Sequence, residues 1–142
     1  MAILEQETPA QLQPRPRIGG KYLSLTSYRR DGSPVATPLW FVEDGERFYA
    51  ITSASSYKAK RIRRNPEVSI AECTGRGTLR GEPIAARAEF LAESEHPRID
   101  RMMADKYRID RIVILPIYRL ALKLQGKPYG GDEAYLAITP IG

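Results

Sequence analysis

Cysteine and histidine are almost missing from this 142-residue sequence, which holds one of each, Cys73 and His96. A lone cysteine excludes an internal disulfide, and the absence of a Cys/His cluster argues against a zinc site. No apolar run approaches the roughly 20 residues that cross a bilayer. The amino-terminal stretch MAILEQETPAQLQPRPR has neither a basic opening nor an apolar core, so it does not read as a secretion signal. A cytoplasmic location is expected. No Ser-His-Asp grouping, carboxylate pair or glycine-rich nucleotide motif stands out, and His96 lies before Pro97 with no partner near in sequence, as a surface histidine would. No catalytic acid or base is therefore expected, and no metal.

What the chain does have is positive charge in one place. Its formal net charge is +5, and the basic residues concentrate between Lys58 and Arg64. Such a balance favours anionic partners without choosing among them. A local anion site is the more economical reading than a general polyanion coat, because no long charged tail is present.

Length and composition suit one domain. Residues 1–20 read as an extended amino-terminal arm, with Pro9, Pro14 and Pro16 closely spaced, and residues 21–142 as a single body. Tyr22 to Tyr28 alternates as a first strand, Asp31-Gly32 signals a hairpin, and Val35 to Val42 returns. Asp44-Gly45 then turns the chain into Arg47 to Thr52, so three strands in sequence predict a meander. A helix is expected from Ser55 or Ser56 to Asn65, closed by Asn65-Pro66. Strands follow at Glu67 to Cys73 and Pro83 to Ala92, then a helix capped by Ser94 and running to about Tyr107. A third helix after Asp110 must be kinked or divided at Pro116. Lys127 to Gly131 is a loop, and Glu133 to Thr139 a last strand. About six strands with helical insertions suggest a small, mainly β barrel.

The chemistry of the sequence concentrates in VATPLWFVEDGERFYAITSASSYKAKRIRRNP, Val35 to Pro66. Thr52, Ser53, Ser56 and Lys58 gather hydroxyls and a cation at a helix start, where first-turn N–H groups lack partners and the dipole favours an anion. Arg61, one turn on, extends the positive face. A solvated helix capped by its serines would use the same residues. Upstream, Thr37-Pro38-Leu39-Trp40 is an apolar, partly rigid strand on which a flat ring could lie. Pro38 has no amide to donate, so this stretch is an edge, a bulge or a ligand-facing segment. Trp40, the only tryptophan, suits a ring contact, a subunit interface or ordinary packing. Phosphate at one end and a planar ring beside a strand is the layout of a flavin-like site.

KYLSLTSYRRDGSPVATPLWFVEDGERFYAITSASSYKAKRIRRNPEVSIAEC resembles the pyridoxamine-phosphate-oxidase-like split-barrel family, and within it the branch of coenzyme F420-dependent oxidoreductases. The likeness covers about Lys21 to Phe90 well and the rest loosely. It implies a six-stranded split β-barrel, a homodimer, and a flavin or deazaflavin in a groove between subunits. Its ring-contacting strand falls on Thr37, Pro38, Leu39 and Trp40, and its phosphate turn on Thr52, Ser53, Ser56 and Lys58, with Arg61 added. Where flavin-mononucleotide oxidases of this family usually carry an Arg-Lys pair, this chain has Tyr57-Lys58, which removes a bidentate phosphate contact. The departure fits coenzyme F420 better than FMN. The resemblance thus implies hydride transfer between reduced F420 and a small organic acceptor. An FMN-dependent enzyme of the same fold and a non-catalytic carrier of flavin or F420 are the alternatives. Nucleic acid and membrane are not expected as partners.

Overall fold

In a computed structural model, described over residues 18–124 and 132–141, one antiparallel sheet of seven strands curls into a half-barrel. The strands are β1 (Tyr22–Tyr28), β2 (Pro34–Leu39), β3 (Val42–Asp44), β4 (Arg47–Ser53), β5 (Glu67–Cys73), β6 (Ile84–Phe90) and β7 (Glu133–Pro140). Their order across the sheet is β2-β1-β5-β6-β7-β4-β3. Three helices complete the described residues: α1 (Tyr57–Arg64), α2 (His96–Lys106) and α3 (Arg108–Leu124). The expected loop at Lys127 to Gly131 and the arm before Ile18 lie outside the described residues.

The expected count of six strands is corrected to seven, and the meander with it. The run Val35 to Val42 is not one strand: its first part, β2, pairs with β1, while its continuation, β3, pairs with β4 at the opposite edge. Trp40 and Phe41 form the break. The Phe41 amide leaves the ladder and donates to the Tyr107 hydroxyl at 2.8 Å, and the Phe41 carbonyl accepts from Lys106 Nζ at 2.9 Å. The end of α2 thus supplies the hydrogen bonds that the sheet gives up, which is why the bend is tolerated in a buried place. The two edges of the curled sheet are consecutive in sequence. Both hairpin signals hold: Gly32 and Gly45 turn with φ of 87° and 65°, a region side chains rarely adopt.

Alternation along the strands builds two cores. Leu23, Leu25, Phe48, Ala50, Val68, Ile70, Leu136 and Ile138 fill the inside of the curl. Tyr49, Tyr135 and Ala137, on the opposite faces of β4 and β7, pack with Ile99, Met103 and Tyr107 of and beside α2. Helix α1 plugs the interior, burying Ala59 and Ile62 at i, i+3 spacing. Ser56 caps it, its Oγ accepting from the Ala59 amide at 3.1 Å, and Asn65 leaves helical geometry ahead of Pro66.

Other expectations change in detail. Ser94 does not cap α2; it lies in a short 3-10 turn, Glu93–Glu95, and α2 starts without a side-chain cap because Pro97 in its first turn has no N–H to satisfy. α3 starts at Arg108, before Asp110, and runs through Pro116 undivided. His96 is half-buried. Its ring stacks on Tyr135 with centroids 3.7 Å apart. Cys73 is buried, as a strand-end thiol should be.

Candidate functional site

The site forms where the end of β4 hands the chain to α1. Thr52 and Ser53 point to opposite faces of β4, as successive strand residues must. Thr52 therefore stands at the mouth of the curl, and there Lys58 Nζ donates to its Oγ1 at 3.0 Å. Arg61 follows one turn along α1. Its Nε donates to Ser27 Oγ at 2.7 Å, a fully buried hydroxyl on β1. Arg64 reaches further along the same strand end, to the Tyr28 carbonyl. Among the described residues no carboxylate pairs with Lys58 or Arg61.

The electrostatics reflect that lack. Burial first, and then the Arg61 charge, pull the Lys58 pKa below the usual lysine value. Arg61 is pulled down by burial, by Arg29 and by Arg64. Four cations thus lean on one another at one end of the curl. A like-charge cluster of this kind destabilises itself until an anion joins it.

The expected phosphate residues divide into two groups. Ser53 and Ser55 both donate to Asp132 Oδ2 at 2.7 Å, so the chain's own carboxylate holds the outer side of the turn. The Ala54 amide bonds the Asp132 carbonyl at 2.8 Å, which ties this turn to the start of β7. These contacts hold the Asp132 carboxyl below the ordinary range, the Ser55 hydrogen bond most of all. The Ser56 hydroxyl is spent as well, donating to the Ser53 carbonyl at 2.7 Å while it caps α1. Among the described residues, the Thr52 hydroxyl proton, the other Lys58 protons and the terminal nitrogens of Arg61 have no partner.

The expected ring strand lies next to that set through β1. Ser27, the Arg61 partner, is opposite Val35 on β2, and Thr37 follows two residues on, about 7 Å along the strand. Thr37 and Leu39 sit opposite Leu25 and Leu23 and share their inward face, whereas Pro38 sits opposite Ser24 on the other. β2 is an edge strand, so Pro38 breaks no inner ladder. Trp40 is separated from them. It lies in the bend beyond β2, half-buried, and stacks on Tyr107 at 4.4 Å with the planes 8° apart. Packing against the α2 side accounts for this ring.

Several residues that shape the site have no sequence signal. Tyr107 closes α2 in an ordinary helical pattern, yet its hydroxyl accepts from Phe41 and lies 2.8 Å from the carbonyls of both Phe41 and Lys21. Asp132 follows two glycines and reads only as loop. Ser27, at the end of β1, reads as one more alternating strand residue.

An antiparallel half-barrel with a basic helix at its mouth has counterparts among known proteins. The family model described as pyridoxamine 5'-phosphate oxidase matches residues 18–139. The chain belongs to that family. No curated protein sequence matches it. Among solved structures, it is similar to an F420 reductase at 18% identity and TM-score 0.53, covering 86% of this chain and 87% of that one. A FAD-binding protein from Mesorhizobium loti matches at 16% identity and TM-score 0.57, covering 87% and 83%. HutZ, a heme storage protein from Vibrio cholerae, matches at 20% identity and TM-score 0.58, covering 98% and 91%. Likeness at this level establishes the fold, and the three ligands differ, so the fold alone does not choose a cofactor.

Proposed function

We propose that this protein is an oxidoreductase that binds coenzyme F420 and moves a hydride between its reduced form and a small organic acceptor, working as a homodimer with the cofactor in a groove between subunits. The observation that carries this reading is the cation pair at the barrel mouth: Lys58 beside the Thr52 hydroxyl and Arg61 one turn on beside Ser27, without a carboxylate partner among the described residues. A phosphoryl group there would restore the depressed lysine and add charge-assisted hydrogen bonds to it. Ser53 and Ser56 take the role of shaping the turn, and Thr52, Lys58 and Arg61 the role of holding the anion.

β2 supplies the second half of the cofactor's surface. As an edge strand it leaves backbone groups of Thr37 to Leu39 turned away from β1, and these suit the polar edge of a tricyclic ring. Pro38 contributes a rigid apolar contact. When bound, the reduced deazaflavin supplies the hydride. The chain's residues bind, orient and exclude water, and no acid or base is placed among them, so the acceptor's proton comes from solvent. The same residues would accept FMN. The single lysine, with Tyr57 exposed beside it, offers a terminal phosphate dianion less than an Arg-Lys pair would.

The test is a fluorescence titration of the purified protein with F420 and, separately, with FMN. Tighter binding of F420 than of FMN, with hydride transfer to at least one acceptor, supports the reading. FMN preference moves it to the flavin enzymes. Tight F420 binding without turnover on any acceptor makes the protein a carrier.

A further inference from the structure

The end of β1 and its hairpin hold three guanidiniums in place. Arg61 is fixed through Nε to the Ser27 hydroxyl, Arg64 through one terminal nitrogen to the Tyr28 carbonyl, and Arg29 through one terminal nitrogen to the Ser33 hydroxyl at 3.2 Å. Arg29 follows Tyr28 directly, and its amide closes the β1–β2 hairpin on the Ser33 carbonyl at 2.9 Å. Each side chain thus spends one nitrogen as an anchor, and the others have no partner among the described residues. Two carboxylates lie close in sequence. Asp31 accepts from the hydroxyl and the amide of Ser33, at 2.7 and 2.9 Å, which hold its carboxyl below the ordinary range with a smaller share from the Arg29 charge. Glu67 stands opposite Arg87 across β5 and β6. Among the described residues neither forms an ion pair with the three arginines.

Arg61 and Arg64 also continue a row that starts at Lys58. At about 1.5 Å per residue, these cations succeed one another every ~4.5 Å along α1, so Arg64 stands about 9 Å along the axis from Lys58. Gathering guanidiniums costs Coulomb energy that no carboxylate among the described residues offsets. Burial, then Arg29 and Arg64, pull Arg61 below the usual arginine value. We propose that Arg29 and Arg64 form a second oxyanion subsite, with Arg61 between it and the Thr52–Lys58 subsite, and that the ligand carries at least two anionic groups about 5–9 Å apart. The inference deepens the cofactor reading above and rests on it for the first subsite only.

A guanidinium fork meets a carboxylate or a phosphate through two parallel N–H donors, a match that lysine lacks. The chemistry recognised is therefore an oxyanion, from either source. A ligand with a single terminal phosphate, such as FMN, fills the inner subsite and leaves the outer one empty. A ligand with a further oxyanion fills both, and its second contact is intramolecular once the first is made. The other cations of α1 do not join this set. Arg63 donates to the Ala54 carbonyl at 3.0 Å and lies over the Phe90 ring, and Lys60 lies over the Tyr57 ring at 5.3 Å. Arg30 is exposed in the hairpin beside Arg29 and adds to the long-range attraction of an anion.

Isothermal titration of the full chain with orthophosphate, tripolyphosphate and tricarballylate tests this, in wild type, Arg29→Gln/Arg64→Gln and Lys58→Met. Arg29 and Arg64 are exposed, so the double variant should keep its far-ultraviolet dichroism and melting curve, and Arg29→Gln alone serves if it does not. Wild type should bind tripolyphosphate or tricarballylate at least about tenfold more tightly than orthophosphate, and the double variant should lose that advantage while its orthophosphate affinity stays within about twofold. Lys58→Met should weaken all three. A preference for tripolyphosphate assigns the outer subsite to a phosphoryl group, and one for tricarballylate to a carboxylate. Arg87→Gln/Arg101→Gln removes the same charge from exposed positions elsewhere and should change none of the affinities. An equal loss in that control would reduce the effect to net charge and overturn the subsite. So would a wild type that binds neither chain-like anion more tightly than orthophosphate, or a folded double variant that keeps the full advantage. No cofactor enters this titration, so its failure leaves the F420 reading standing, and a protein that binds the longer anions but no F420 overturns that reading alone.

Discussion

Replacing Tyr107 with phenylalanine should show how much the bend between β2 and β3 depends on one hydroxyl. The ring is fully buried, and its aromatic packing survives the change. What disappears is an acceptor for the Phe41 amide, which has no other partner among the described residues, and a donor shared between two carbonyls. The Phe41 carbonyl keeps Lys106 at 2.9 Å, and the Lys21 carbonyl, on an exposed residue, turns to water. The net loss is one orphaned buried N–H, worth about 1–3 kcal/mol. A chain of this length has an unfolding entropy of roughly 0.3 kcal/mol/K, so 2 kcal/mol lowers Tm by about 7 °C. Thermal and urea unfolding should agree, with the urea slope unchanged. The variant should also alter the alkaline limb. Burial pushes the Tyr107 hydroxyl up to about 12, so between about pH 10 and 12 the unfolded chain ionises first and the folded state loses stability as pH rises. Tyr107→Phe should flatten part of that fall. A Tm within 1 °C of wild type would refute the view that this hydroxyl holds the bend.

Other outcomes follow from the same geometry. Ile62→Ala, which hollows the interior where α1 plugs the curl, should cost about 2–4 kcal/mol in urea unfolding, and a loss below 1 kcal/mol would mean the helix is not seated there. Lys58→Met should leave stability near neutral pH equal to or above wild type, because a lysine with a lowered pKa binds its proton less well folded than unfolded. In wild type, stability should climb as pH rises towards the ordinary lysine value, and this slope should shrink in the variant. Asp132→Asn should remove an acid-side loss of stability: its depressed carboxyl stabilises the fold above the usual carboxylate value, and that contribution fades as pH falls through the lowered one. Acid unfolding curves that superimpose for the two proteins would contradict the Ser53–Asp132–Ser55 contacts.

Much of the barrel was legible in the sequence because it rests on local rules. Asp31-Gly32 and Asp44-Gly45 fix two hairpins, alternation marks β1, β5 and β7, and Ser56 with Asn65-Pro66 brackets α1. The break at Trp40 and Phe41 was not legible, since its cause, the Tyr107 hydroxyl, lies 66 residues away. The same holds for the site. Lys58 and Arg61 could be placed on one helical face from spacing alone, and the structure brings Thr52 to the first and Ser27 to the second. That Asp132 occupies the Ser53 and Ser55 hydroxyls depends on β7 pairing with β4, a contact between segments 79 residues apart. Trp40 shows the limit of reading a strand by its composition: one residue past Leu39 the chain leaves β2, and the indole turns to α2.

The central claim is that an anionic cofactor is held by Thr52, Lys58 and Arg61 at the barrel mouth. Titrating coenzyme F420 into wild type and Lys58→Met, with melting curves recorded for both, tests it most directly. Affinity at least about tenfold weaker in a variant that melts no lower than wild type is the predicted result. Equal affinity in the two proteins would contradict the claim.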